Sequence, residues 1–98
     1  MSRIDAANSM TLGADGVYFV VDGTKQINLI ESKVGAAQWK DGQVVILRLN
    51  EALTIKHNQA ASVTFVPIKL KSGADFQAQA GAFLQLVFDV TDNCWSEL

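Results

Sequence analysis

Apolar and polar residues alternate with a period of two along most of this chain. The alternation is clearest in LTIKH (53–57) and IKLK (68–71). Successive side chains of a β-strand point to opposite faces, so this pattern is typical of strands with one face in a core. The dominant period therefore predicts a protein built from β-strands.

Further short apolar segments are separated by turn residues. They are GVYFVVDGT (16–24), INLI (27–30), GQVVILRLN (42–50), VTFV (63–66), FQAQA (76–80), FLQLVF (83–88) and CWSEL (94–98). Asp22-Gly23 is a turn dipeptide and predicts a hairpin between the first two. Residues 44–49 are almost continuously apolar, which predicts a strand covered on both faces. Strands at this spacing predict an all-β fold, a small antiparallel β-sandwich of jelly-roll type with seven or eight short strands.

A helix competes with strands in one segment. Ile27, Ile30, Val34 and Ala37 recur at helical spacing, although Gly35 disfavours a helix interior. We expect at most one short helix near residues 28–38. Residues 1–9 are predicted to form a flexible N-terminal segment, and residues 10–98 a single β-sandwich domain.

The composition favours contact between copies of the chain. Hydrophobic residues make up 49% of the sequence and charged residues only 18%, against roughly 25% charged in an ordinary domain. Such a surplus suits a subunit interface, which resembles a core cut in half. The net charge of −2 and scattered basic residues argue against nucleic-acid binding. No apolar run approaches the roughly 20 residues of a membrane span, and the N-terminus lacks a signal peptide's apolar stretch, so synthesis in a cytoplasm is expected.

The residue types that carry chemistry are sparse, so no catalytic residue, metal site or cofactor is predicted. His57 is the single histidine. Zinc needs three or four ligands, so His57 can contribute to a zinc site only if three copies of the chain meet on an axis. The simpler interpretation is a half-buried His57 ring that is hydrogen-bonded to a loop carbonyl. Cys94 beside Trp95 reads as a buried, inert thiol. Aspartates in predicted turns are expected to cap them, and a small hydrolase using them is the least favoured alternative.

Two tryptophans invite different interpretations. Trp39, followed by Lys40 and Asp41, lies in a predicted loop before the central strand. It is either an exposed ring that stacks on a sugar, which makes these three residues candidate ligand-binding residues, or a lid folded over the core. Trp95 is expected to seal one end of the β-layers, with its indole N–H bonded to the backbone. The last strand would then be held in place by Trp95.

Four short motifs occur in a recognisable order: Gly42-Gln43, His57-Asn58, Gly73-Ala74-Asp75 and Trp95-Ser96-Glu97. Together with the apolar strands between them, they resemble the β-rich C-terminal modules of tailed-bacteriophage tail fibres and tailspikes. The resemblance covers residues 10–98. One departure is Asp89-Val90-Thr91, where the modules have Asp-Gly-Thr, followed here by Asp92-Asn93.

The resemblance implies a non-enzymatic homotrimer in the phage tail of the virion, made in the bacterial host cytoplasm. It implies no cofactor, and a role in trimerisation and attachment to host-surface glycan. The motif residues His57, Asn58, Asp75, Trp95 and Glu97 would be structural anchors. The alternative function is a monomeric carbohydrate-binding module attached to a polysaccharide-degrading enzyme.

Overall fold

The computed structural model describes residues 2–13, 17–34 and 37–98, and these contain twelve β-strands and no helix. The all-β class is confirmed. The strands are β1 (Ser2–Asp5), β2 (Ser9–Met10), β3 (Tyr18–Asp22), β4 (Leu29–Glu31), β5 (Lys33–Val34), β6 (Ala37–Gln38), β7 (Val44–Leu49), β8 (Leu53–Ile55), β9 (Phe65–Lys69), β10 (Phe76–Ala78), β11 (Ala82–Asp89) and β12 (Cys94–Glu97).

Eight strands form one sheet in the order β1-β3-β7-β11-β12-β9-β4-β2, and two short pairs, β10-β8 and β5-β6, complete the fold. The pairing is mixed, whereas an antiparallel sandwich was predicted. β1-β3, β3-β7, β12-β9 and β2-β4 are parallel, and the other five pairings are antiparallel. Parallel neighbours need a crossover between them, so the chain passes repeatedly from one side of the molecule to the other.

One hydrophobic core fills the space inside the curved sheet. Alternate residues of β7 and β11 point into it, which explains the period of two in the sequence. The fully buried members with the largest side chains are Trp95, Phe19, Phe88, Met10, Ile27, Ile30, Leu47, Leu49, Ile55, Ile68, Leu84 and Leu86. No helix of the described residues is long and apolar enough to cross a membrane.

The predicted hairpin between residues 16–24 and 27–30 is wrong. β3 pairs with β1 and β7, while β4 pairs with β9 and β2. The Asp22-Gly23 turn is instead fixed by groups from elsewhere: the Gly23 N–H donates to the Glu51 carboxylate at 3.0 Å, and Asn50 donates to Asp22 at 2.8 Å. These bonds send the chain away from β3 instead of back along it.

Two further segments differ from their predictions. Residues 1–9, predicted to be flexible, contribute β1 and the start of β2, and Arg3 of β1 donates two hydrogen bonds to Asp22 of β3 at 2.8 and 3.1 Å. The segment 28–38, where a helix was allowed, contains the short strands β4, β5 and β6; its residues 35 and 36 lie outside the described residues.

The last hairpin forms despite the departure in its sequence. Asp89 pairs with Cys94, so Val90–Asn93 make a four-residue turn between β11 and β12. Asp89 Oδ1 accepts the N–H of Asp92 at 3.1 Å, and Asn93 has a positive φ of 51°, which asparagine tolerates better than most residues. The inserted Asp92-Asn93 therefore supplies the turn geometry that a glycine gives elsewhere.

Candidate functional site

A surface, and not a cleft, is the candidate site of this protein. Residues 2–13, 17–34 and 37–98 enclose no pocket, and they hold no group of three or more His, Cys, Asp or Glu side chains placed to bind a metal ion. What they do present is an apolar patch on the solvent side of the main sheet.

This patch, called the outer apolar face, lies across β3, β7 and β11 and includes the residue that follows β12. The pairing register places Tyr18 beside Ile46, Ile46 beside Gln85, and Val44 beside Val87. Residues paired in register share one face of a sheet, and these are the residues that point away from the core. The apolar members of the face are Tyr18, Val44, Ile46, Phe83, Val87 and Leu98.

Several of these side chains are open to solvent. Phe83 is 59% exposed, Leu98 50% and Val44 37%, and the Phe83 ring stacks on Tyr18 with centroids 6.4 Å apart. An isolated exposed apolar residue is ordinary, but aromatic and β-branched residues contiguous on three strands make this face a candidate interaction surface. This face is also the second side of residues 44–49. The sequence predicts that this side is covered, but in the single chain it is uncovered.

Charge is confined to the two ends of the outer apolar face. Exposed Arg48 lies opposite Phe83 at one end, with no carboxylate of the described residues within 4.0 Å. Asp89 ends β11, six residues beyond Phe83, or about 20 Å along the strand. Exposed Asp41 lies at this same end, because its Oδ1 accepts the N–H of Val90 at 3.0 Å. Both ends carry charges of both signs, since the Arg3–Asp22 ion pair lies on β1 and β3 beside Arg48 and the exposed Lys40 precedes Asp41.

Trp39 is buried, so its interpretation as an exposed sugar-stacking ring is corrected. Its side chain is 7% exposed and meets Trp95 edge to face, with ring centroids 5.5 Å apart. Apolar contact with the core holds the ring inward, as in the lid arrangement. Lys40 and Asp41 remain exposed in the turn before β7, so the structure separates these two candidate residues from the aromatic ring beside them.

Trp95 lies at the centre of the aromatic cluster. It is fully buried, its ring centroid lies 5.0 Å from that of Phe88, and its indole Nε1–H donates to the carbonyl of Glu31 at 3.0 Å. The indole thus joins β12 to β4, two strands that are not neighbours in the sheet. The burial of Trp95 and its backbone hydrogen-bond partner are both as predicted from the sequence.

Glu31 is a structural residue that is not predicted from the sequence. Its Oε1 accepts the backbone N–H groups of Leu12 at 2.9 Å and Gly13 at 3.3 Å. A carboxylate that accepts two amides fixes the loop after β2 through charge-assisted bonds. Nothing in the sequence around Glu31 signals such partners, because they lie 18 and 19 positions away.

The remaining motif residues meet around β9 and the loop that follows it. His57 Nδ1 accepts the N–H of Leu70 at 3.0 Å, so its partner is an amide and not the loop carbonyl that was predicted. Asp75 Oδ1 accepts the His57 N–H at 2.8 Å, and Glu97 Oε1 accepts the Lys71 N–H at 2.9 Å. The Asn58 N–H donates to Ile68 O at 2.9 Å, with φ of 51° at Asn58. These contacts tie three separate stretches of chain together.

The contacts of Asp75 predict a stability that depends on pH. The His57 N–H, and after it the ammonium of Lys56 at 2.8 Å, hold the pKa of Asp75 below its ordinary value. A carboxylate with a lowered folded-state pKa adds stability that is complete above the unfolded-state pKa and is lost as the pH falls through the folded-state pKa. We expect Asp75→Asn to flatten the acid limb, that is, to reduce the loss of folding stability as the pH falls. Urea denaturation midpoints from about pH 2 to pH 6 measure this loss.

A second substitution separates the two causes of the lowered pKa of Asp75. Lys56→Gln removes the ammonium but leaves the His57 amide bonded to Asp75, so it should flatten the acid limb less than Asp75→Asn does. Equal slopes in Asp75→Asn and the wild-type protein would show that Asp75 does not titrate differently on folding. Asp22, whose pKa is lowered chiefly by its hydrogen bond from Asn50, keeps a residual acid limb in both variants.

Comparisons with protein-family models, with curated proteins and with solved structures each found no match to this chain.

Proposed function

We propose that this protein is a non-enzymatic module of a tailed-phage tail fibre or tailspike, which holds three copies of its chain together and attaches to host-surface glycan. The observation that supports this proposal best is the outer apolar face, with the exposed Phe83 at one end and Leu98 along its side. The order of the four short motifs in the sequence supports the same family. The virion is the proposed location.

The outer apolar face favours assembly because a small domain gains little by leaving such residues in water. Burying apolar surface contributes roughly 25 cal/mol per Å², and Phe83, Val44 and Leu98 offer that surface without any rearrangement of the core. Interfaces between copies of one chain are the more apolar class of protein contact. These exposed side chains are the part of the apolar surplus that an interface between copies would cover.

Attachment to glycan is proposed for the exposed turn that carries Lys40 and Asp41. With Trp39 buried, this turn offers hydrogen-bonding and charged groups, so recognition there would be polar and would not involve stacking. Asp41 Oδ1 is engaged by the Val90 N–H, which holds the carboxylate in place and leaves its other oxygen for a sugar hydroxyl.

The mass of the protein in solution tests the proposal, with binding to an array of bacterial surface polysaccharides as the second readout. Light scattering at micromolar concentration should give three times the mass of one chain. Glycan binding should fall in Lys40→Ala and not in Lys25→Ala, an exposed lysine in another loop. A monomer that binds no glycan contradicts the proposal, and a monomer that binds glycan supports the carbohydrate-binding alternative.

A further inference from the structure

We propose that His57 is a pH-sensitive latch: its neutral ring holds the chain at the end of β9, and the chain there is released when the ring takes up a second proton. The latch joins the residues that follow β8 to the turn of residues 71–75 that precedes β10. This inference does not depend on the proposed function, because it concerns contacts within one chain.

Leu70 lies at the point where the chain leaves the core. β9 ends at Lys69, and the next amide, that of Leu70, donates to His57 Nδ1 at 3.0 Å. Two residues earlier, the Ile68 carbonyl accepts the N–H of Asn58 at 2.9 Å. Leu70 itself is only 5% exposed and belongs to the hydrophobic core. Residues 57 and 58 therefore hold the end of β9 through two neighbouring hydrogen bonds, one of which uses the histidine ring.

The bond between Leu70 and His57 requires a neutral ring. A backbone N–H can only donate, so Nδ1 of His57 is the acceptor and the proton of the neutral ring lies on Nε2. A charged imidazole carries a proton on both nitrogens and accepts at neither. Protonation therefore sets two donors against each other, the ring Nδ1–H and the Leu70 N–H, and the bond is lost. Histidine ordinarily takes up this proton between about pH 8 and pH 5.

The charged groups around the ring already have partners. Asp75 accepts the His57 N–H through Oδ1 at 2.8 Å and pairs with the Lys56 ammonium through Oδ2 at 2.8 Å. Glu97 of β12 accepts the N–H of Lys71 at 2.9 Å. Neither carboxylate can take the new Nδ1 proton of His57 without weakening a bond that it already makes. The protonated ring thus gains no free acceptor in exchange for the bond that it loses.

The segment released by protonation is short. The turn of residues 71–75 is exposed throughout, and its Gly73 N–H donates to the Leu70 carbonyl at 3.0 Å. Loss of the bond to the Leu70 N–H frees the residue from which this turn starts, while the two carboxylate contacts remain. We expect local opening at Leu70 and in the turn, with the main sheet intact. The His57 ring is partly exposed, so protons reach it without unfolding of the chain.

An NMR titration of the whole chain from about pH 8 to pH 5 tests the latch. At the upper end, the nitrogen shifts of the His57 ring should show Nδ1 without a proton. As the ring charges, the Leu70 amide shift should change with the same midpoint. Protection of this amide against hydrogen exchange, relative to an unstructured peptide at the same pH, should fall about tenfold, as expected for loss of one hydrogen bond. A Leu70 amide that keeps its shift and its protection while the ring titrates overturns the inference, as does a neutral ring with its proton on Nδ1.

Two variants assign the response to the ring. In His57→Asn the amide oxygen can stand in the place of Nδ1 and does not titrate, so Leu70 should stay protected over the whole range. In Asp75→Asn the response should persist, because the pKa of Asp75 is held below its ordinary value and the carboxylate is ionised throughout this range. A response that persists in His57→Asn, or that disappears in Asp75→Asn, contradicts the latch. If His57→Asn fails to fold, the wild-type titration and Asp75→Asn decide.

Discussion

Replacing Trp95 by alanine is expected to lower the free energy of unfolding by about 3–5 kcal/mol, the usual cost of emptying a buried aromatic site. The indole is fully enclosed, packs on Phe88 and Trp39, and donates its N–H to the Glu31 carbonyl. The substitution leaves a cavity between two aromatic rings and a buried acceptor without its donor. A domain of this size has a total stability of roughly 5–15 kcal/mol, so a large share of it would be lost.

Urea denaturation followed by circular dichroism measures the effect, and Trp95→Phe serves as the matched control. Phenylalanine keeps a ring in the site but cannot donate to Glu31, so it should cost about 1–3 kcal/mol for the unsatisfied acceptor, plus a packing term. An alanine variant within about 1 kcal/mol of the wild-type protein would show that β12 is not held by this ring.

The β-class of the fold is predictable from the sequence because it follows from local pattern. Alternating residues such as Leu53, Thr54 and Ile55 can bury one side only in an extended conformation, whatever their partners. The burial and hydrogen bond of Trp95 are predictable for a similar reason, since a large apolar ring with one donor has few favourable places. Both inferences need no knowledge of which strands are neighbours.

The strand order is not predictable in the same way. β1, β3 and β7 lie side by side and parallel, although many residues separate them, and no pair of turn residues signals such contacts. The expected hairpin after β3 fails because Glu51 and Asn50, distant in sequence, supply the partners of its turn. The chain bends at Gly23, but its direction after the bend depends on residues that meet only in the folded chain.

Only part of the candidate surface is predictable from the sequence. The sequence predicts that residues 44–49 are apolar on both sides of the strand, but it does not predict which side remains uncovered. Burial alternates along β7, with Val45, Leu47 and Leu49 inside and Val44 exposed. Only the pairing of β11 beside β7 brings Phe83 next to Tyr18 and so turns scattered apolar residues into one face.

Trp39→Ala is expected to lower the free energy of unfolding by about 3–5 kcal/mol as well, because Trp39 is a lid on the aromatic cluster and not an exposed binding residue. An exposed sugar-stacking ring would make the opposite prediction, a variant as stable as the wild-type protein that has lost glycan binding. Measuring both quantities on the same sample decides between the two interpretations of this residue.

Substitution by phenylalanine is expected to change the stability of the protein differently at the two tryptophans. Trp95 loses a hydrogen bond to Glu31 when its indole is replaced, whereas Nε1 of Trp39 is buried without a hydrogen-bond partner among the described residues. Removing a buried donor that has no partner relieves a cost instead of creating one. Trp39→Phe should therefore destabilise the protein clearly less than Trp95→Phe, even though both rings belong to one cluster. Equal losses in urea denaturation would mean that ring volume alone governs the cluster and that the bond to Glu31 contributes nothing.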